Sequence, residues 1–222
     1  MTKFIQIAAS ILSADFANLG QESQAVLDAG ADVIHFDVMD HHFVPNLSFG
    51  AVVCQALRDY GITAPIDVHL MVTDPEKYIQ PFAKAGANRL TFHPAAVKDS
   101  KTLCQKIHDA GLEAGVAFNP DKPIEIADNV FSELNLILLM SVFAGFGGQK
   151  FMPDSLDKIK LTHDLIQKNN PAILLGIDGG IKVDNIRSVT QAGANFIVMG
   201  SGLFDTNNYQ KRIQELRDQY GH

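Results

Sequence analysis

The sequence is short of cysteine, of positive charge and of long apolar runs, and each shortage removes a class of protein. Its two cysteines, Cys54 and Cys104, lie in helix-like segments, with no CxxC and no closely spaced pair. A disulfide scaffold and a cysteine-rich zinc module are thereby excluded, and both residues read as free, reduced core thiols. Acidic side chains outnumber basic ones, 25 to 18, for a formal net charge of −7. That argues against nucleic acid or an anionic membrane as a main partner, since both select a basic face. A small phosphorylated ligand stays admissible, because a few local donors outweigh the global sign. The longest apolar runs, such as LNLILLM, fall far short of the roughly 20 residues a membrane helix needs. The opening MTKFIQIAAS lacks the charged, apolar and cleavage-site order of a secretory signal. A cytoplasmic protein is expected. No linker or low-complexity stretch marks a boundary, so residues 1–222 are expected to form one domain.

What is present is a rhythm. Short β-rich apolar runs alternate with segments of helical period. Eight candidate strands read FIQIAAS (4–10), DVIHFDVM (32–39), IDVHLMV (66–72), RLTFHP (89–94), EAGVAFN (113–119), LILLMSV (136–142), ILLGIDG (173–179) and NFIVMGS (195–201). Between them lie helical segments such as LGQESQAVLDAG, PEKYIQPFAKAG, LDKIKLTHDLIQKN and VDNIRSVTQAG. An echo recurs as DAGAD, KAGAN, DAGLE and QAGAN, placing Gly30, Gly86, Gly111 and Gly193 just past helix ends. Glycine there supplies a left-handed cap, and a strand follows each time. Alternation of this kind means βαβ units and a parallel sheet. Eight units in a chain of this length predict a closed (β/α)8 TIM barrel, with an open doubly wound sheet as the alternative. No GxGxxG follows the first strand, which weakens the dinucleotide-binding version of that alternative.

Barrel enzymes place their chemistry at the C-terminal ends of strands. Those positions hold residues that an inert core has no reason to carry. Strand 2 alternates His35, Asp37 and Met39 on one face, and strand 3 alternates Asp67, His69 and Met71. Strand 4 offers His93, strand 7 ends in Asp178, and strand 1 leads into Ser10 and Ser13. Burying carboxylates beside imidazoles is costly without compensation. A divalent cation would compensate, and mixed nitrogen and oxygen donors suit Zn²⁺, Fe²⁺, Mn²⁺ or Co²⁺ better than Mg²⁺. His93 taken alone reads as a hydrogen-bonded core residue. No local metal signature such as HExxH is present.

A second constellation is rich in glycine. AGFGGQKF (144–151) follows strand 6, DGG (178–180) ends strand 7 and GSG (200–202) ends strand 8. Such turns bring backbone N–H groups close to an anion, and the last two loops are where barrels commonly hold phosphate. Ordinary tight turns are the alternative. Met39, Met71 and Met140 read as core filler or as a polarizable lining near developing charge.

Taken together, SILSADF (10–16), HFDVMDxHFVPN (35–46), DVHLM (67–71), GFGGQKF (145–151) and DGGI (178–181) resemble the ribulose-phosphate 3-epimerase family, in order over nearly the whole chain. The resemblance implies interconversion of D-ribulose 5-phosphate and D-xylulose 5-phosphate in pentose phosphate metabolism. It implies one divalent metal per subunit, Zn²⁺ or Fe²⁺ first and Mn²⁺ or Co²⁺ as alternatives, held by His35, Asp37, His69 and Asp178. Asp37 and Asp178 would be the acid/base pair acting through a metal-stabilised enediolate. Ser10 and His69 would touch the substrate. Gly145, Phe146, Gly147, Gly148, Gly179, Gly180, Gly200 and Ser201 would hold its phosphate. A homo-oligomer, dimer or larger, is also implied. An epimerase for allulose 6-phosphate would share the same inner residues, and a non-catalytic phosphosugar-binding barrel is the third reading.

Two positions depart from the family pattern. His41 stands where the family has a turn glycine, which suggests a turn that accepts a side chain at positive φ, as histidine does better than most residues. Phe143-Ala144 stands where the family has a polar residue and proline, so loop 6 loses a rigid residue and a possible substrate contact.

Overall fold

The structure is a computed structural model that describes residues 5–220. Eight strands run β1 Gln6–Ser10, β2 Val33–Met39, β3 Ile66–Met71, β4 Arg89–Phe92, β5 Glu113–Phe118, β6 Leu136–Met140, β7 Leu174–Asp178 and β8 Phe196–Met199. All neighbours are parallel, and β1 pairs with β8, so the sheet closes into the expected barrel. Each strand falls within its predicted range; Phe4, in the range predicted for the first, lies outside the described residues.

The helices are α1 Leu19–Asp28, α2 Ala51–Tyr60, α3 Ile79–Lys84, α4 Ser100–Asp109, α5 Ser155–Asn169, α6 Ile186–Gln191, α7 Ser201–Phe204 and α8 Tyr209–Tyr220. One connection departs from the rhythm. Between β5 and β6 the chain makes a 3₁₀ segment, Asp128–Glu133, instead of an α-helix. Pro120 and Pro123 in that stretch remove backbone donors and fix φ, which keeps a helix from starting there. The echoed glycines Gly30, Gly86, Gly111 and Gly193 have φ of 109°, 84°, 81° and 120°, as left-handed helix ends require.

The same echo has a second use. Asp32, Asn88, Asn135 and Asn195 each stand immediately before an even-numbered strand. Their side-chain oxygens accept the N–H groups of Ile7, Ile66, Ala114 and Leu175, at 2.8 to 3.0 Å. Their own N–H groups donate to the carbonyls of those same residues. Each odd strand is therefore stitched to the next even one at the barrel's N-terminal end, where unpaired backbone groups would otherwise be costly.

Alternation along the strands divides the barrel. One set of side chains packs outward beneath the helices in the main core, with Ile34, Phe36, Val68, Leu90, Phe92 and Ile197 fully buried. The other set fills the interior, and it is lopsided. On the side of β6 and β8 it is apolar, with Leu136, Leu138, Met140, Phe196 and Val198. On the side of β2 to β4 it carries His35, Asp37, Asp67, His69, Thr91 and His93, all buried. Cys54 and Cys104 are buried free thiols on α2 and α4, as expected, and burial pushes both up, to about 11 and about 12. No helix among the described residues is long and apolar enough to cross a membrane.

Candidate metal centre and active site

The polar wedge converges near the C-terminal mouth. Register sets this up: His35 lies beside Asp67, and Asp37 beside His69, as Cα partners across β2 and β3. Asp178 reaches the same point from β7, next to Met140. One donor atom from each of His35, Asp37, His69 and Asp178 lies within 4.8 Å of the others.

Hydrogen bonds orient His35, Asp37 and His69. The Ser10 hydroxyl donates to Asp37 Oδ2 at 2.7 Å. Asp37 Oδ1 lies 3.1 Å from His69 Nδ1 and 3.3 Å from His35 Nε2. His35 turns its other ring nitrogen, Nδ1, to Asp67 Oδ2 at 2.8 Å. His69 Nε2 lies 2.9 Å from His93 Nε2, so only one of those two nitrogens can carry a proton. His93 is thus a hydrogen-bonded core residue, as its isolation in the sequence suggested, and its partner belongs to the cluster.

Electrostatics favour positive charge here. Burial opposes a charged imidazole at His35, but the Asp37 and Asp67 carboxylates outweigh it and raise its pKa well above the ordinary value. Burial likewise opposes ionisation of Asp37, yet the charges and hydrogen bonds of His35 and His69 hold its carboxyl far below the usual range. Asp178 goes the other way: burial first, then the Asp37 charge, push it up to about 6. Burial and the neighbouring His69 hold His93 well below its usual value, so its ring is neutral. His35 Nε2 is fully buried and has no well-aligned hydrogen bond, its nearest polar neighbour being Asp37 Oδ1 at 3.3 Å. Such a ring nitrogen with two carboxylates and a second imidazole is a donor set that fits a borderline divalent cation.

Above the cluster, one cleft is lined by Ser10, Ser13, Asp37, Asp178, the methionines Met39, Met71 and Met140, and the glycine turns of loops 6, 7 and 8. Met39 and Met71 also pack on Val44 as a small apolar group of their own. Every residue expected in the site except His35 and His69 lines this cleft; those two sit beneath it, fully buried. Gly180 has φ 63°, and a β-carbon there would collide with the backbone nitrogen of Phe151. At Gly200 a β-carbon would come within 2.6 Å of Ser13 Oγ. These glycines let loops 6 to 8 and loop 1 approach one another closely.

Loop 6 is tied down without its proline. The Gln149 amide donates to the carbonyls of Phe143 and Phe146, at 2.7 and 2.9 Å. Asn46 Nδ2 donates to the Gly145 carbonyl at 2.9 Å, joining loop 6 to loop 2. These ties order loop 6 along one wall of the cleft. Phe143 and Phe146 stay largely exposed at the rim. His41 has φ 61°, the only positive φ at a non-glycine residue among those described, which bears out the expected turn. A roomier groove, about 640 Å³, lies on the outer flank of α5 between Ile124, Leu161 and Leu165, away from the cluster.

Comparison with known proteins places this geometry. The model of the ribulose-phosphate 3-epimerase family matches residues 6–204. The chain belongs to that family. It is 51% identical to the ribulose-phosphate 3-epimerase of Serratia marcescens, over 95% of this chain and all of that one. It is 50% identical to the ribulose-phosphate 3-epimerase of Buchnera aphidicola subsp. Acyrthosiphon pisum, over 100% of this chain and 98% of that one. The family makes the chain an enzyme of the epimerase class, as its motifs implied. Among solved structures, KGPDC from Streptococcus mutans superposes with a TM-score of 0.74, covering 98% of each chain at 15% identity, a likeness of fold alone.

Reasoning from the sequence missed the contacts behind the cluster. Asp67 stood out as an inward-facing carboxylate, but its bond to His35 depends on strand register, which the sequence does not display. Nothing in sequence spacing flagged Asn46, whose partner Gly145 is 99 residues away.

Proposed function

We propose that the chain epimerises carbon 3 of D-ribulose 5-phosphate, giving D-xylulose 5-phosphate, with His35, Asp37, His69 and Asp178 holding one divalent cation. The observation that carries this reading is the buried cluster of those four side chains at the foot of a glycine-walled cleft. The donor set suits Zn²⁺ or Fe²⁺, with Mn²⁺ or Co²⁺ as alternatives. When bound, the cation supplies Lewis-acid stabilisation of the negative charge that develops on the substrate oxygens.

The remaining chemistry belongs to the side chains. Inverting carbon 3 means removing the proton next to the ketone and returning one on the opposite face of a flat enediolate. Two carboxylates of opposite protonation do this, and either direction follows from which one starts with the proton. Asp37 on β2 and Asp178 on β7 come from different sides of the barrel, and their environments push their pKa values apart, the pattern expected of an acid/base pair. Ser10, donating to Asp37, holds that carboxylate in place and lies where it can meet the substrate. His69 lies beside the same carboxylate and is read as a further substrate contact.

Gly145, Phe146, Gly147, Gly148, Gly179, Gly180, Gly200 and Ser201 surround the end of the cleft and are assigned to the phosphate. Met39, Met71 and Met140 form a dry lining on which the sugar plane can rest. Assembly as a homo-oligomer and residence in the cytoplasm are part of the same reading and rest on the family. The test is steady-state turnover of D-ribulose 5-phosphate before chelation, after chelation and after a divalent ion is restored. Loss on chelation with recovery on metal supports the reading; full activity in the chelated protein refutes the role of the cation.

A further inference from the structure

Beneath the candidate metal centre runs a transverse row of charge. His35, Asp67, Arg89 and Glu113 are successive Cα partners across β2, β3, β4 and β5, so their side chains leave the sheet at one level on one face. His35 Nδ1 meets Asp67 Oδ2 at 2.8 Å. Asp67 Oδ1 lies 3.6 Å from Arg89 Nη1. Arg89 in turn donates to Glu113 Oε2 through Nε and Nη2, at 2.9 and 2.6 Å, and its guanidinium lies 5.2 Å from the centre of the Phe196 ring. The row ends at a cavity of about 210 Å³ at the N-terminal mouth of the barrel, lined by Gln6, Asp67, Asn88, Arg89 and Glu113 among others.

Stability does not account for this row. The opposite wall of the same interior is filled by Leu136, Leu138 and Phe196. Replacing a buried ion pair by apolar side chains of similar volume is often neutral or stabilising. Asp67 and Arg89 are nevertheless both largely buried, with side chains 2% and 11% exposed. What an apolar pair could not do is choose the tautomer of His35. An ionised carboxylate only accepts, so a hydrogen bond to Asp67 requires the proton on Nδ1. In the neutral ring that a cation requires, the lone pair then sits on Nε2, the nitrogen that faces the cluster.

We propose that Asp67, backed by Arg89 from the N-terminal end of the barrel, is the positioning residue that fixes His35 with Nε2 free to bind the cation. The inference rests on the metal reading above. Carboxylate partners of ligating histidines typically contribute about 10–100-fold to metal affinity. Asp67→Asn keeps the shape but can donate to Nδ1, which drives the proton to Nε2.

The test uses Co²⁺, titrated into metal-free protein and followed by its visible absorption. Wild-type chain that binds no Co²⁺ overturns the metal reading itself. Given wild-type binding, Asp67→Asn is expected to weaken Co²⁺ by about 10–100-fold, with KM for the sugar phosphate unchanged at saturating metal. The double variant Asp67→Leu with Arg89→Leu removes the buried carboxylate together with its guanidinium partner, and is expected to fold and to show the same loss. Either variant, folded and binding Co²⁺ like wild type, overturns the inference. The wild-type chain gives a check free of mutation: ¹⁵N NMR of the Zn²⁺-loaded protein should show His35 protonated at Nδ1 and metal-shifted at Nε2. An unprotonated Nδ1 would equally overturn it.

Discussion

Replacing Asp178 by Asn separates the charge of this residue from its shape. The strand survives the change, because its backbone carbonyl accepts from the Ser141 N–H and hydroxyl, at 2.7 and 2.9 Å, whatever the side chain. The carboxylate is both a proposed cation donor and one half of the proposed acid/base pair. General acid–base catalysis by one positioned group is typically worth about 10²–10⁴-fold, or about 3–5 kcal/mol of barrier. Turnover should fall at least that far, and further where metal is lost.

Stability should move the other way. In the metal-free protein Asp178 is raised from 3.8 to about 6, mainly by burial and then by Asp37. A carboxyl raised in the fold binds its proton more tightly there than in the unfolded chain. Its contribution is therefore full below about pH 4 and is lost as pH rises through about 6, at most about 3 kcal/mol. Asparagine removes that dependence. Thermal unfolding in chelator at pH 5 and at pH 7.5 is expected to show a smaller fall in Tm for Asp178→Asn than for wild type. Near-normal turnover in the variant would refute the two-carboxylate mechanism. An identical pH response of Tm would refute Asp178 as the raised group.

Further outcomes follow from the same geometry. Because His35, raised above its ordinary value, and Asp178, raised to about 6, must both lose a proton to hold a cation, apparent Co²⁺ affinity should fall steadily as pH is lowered and more steeply below about pH 6, where Asp178 adds roughly tenfold per pH unit; calorimetry over pH 5 to 7.5 checks it. Asn46→Ala cuts the side-chain tie between loop 2 and loop 6, and is expected to raise KM several-fold with a smaller effect on kcat, because the ordered loop becomes less populated. His41→Gly relieves a left-handed backbone that costs an ordinary residue about 1–2 kcal/mol, so Tm should hold or rise slightly while turnover changes only a few-fold. A hundredfold change in turnover there would show that this turn shapes the site.

The strands and their order were legible because a parallel barrel writes itself as apolar runs separated by capped helices, and the inward residues of β2 and β3 interrupted those runs with His35, Asp37, Asp67 and His69. The left-handed turn at His41 was legible through the resemblance, because the family's glycine at that position marks a backbone at positive φ. The 3₁₀ segment after β5 broke the rhythm because two prolines outweighed the expectation set by the other units. The charged row from His35 to Glu113 was hidden, since it appears only once four strands are in register. The stitching role of Asp32, Asn88, Asn135 and Asn195 was half visible: three of the four end an echoed motif, but the partner of each belongs to the neighbouring strand. The tie from Asn46 to loop 6 had no local signal at all.

The most direct test of the central claim is a side-by-side assay of D-ribulose 5-phosphate and D-allulose 6-phosphate, run before and after chelation, with solvent deuterium followed into carbon 3. The account predicts turnover of the pentose phosphate with deuterium incorporation, lost on chelation and restored by a divalent ion. Preference for the hexose phosphate would contradict the substrate assignment. A folded, metal-loaded protein that exchanges no deuterium into either sugar would contradict the mechanism.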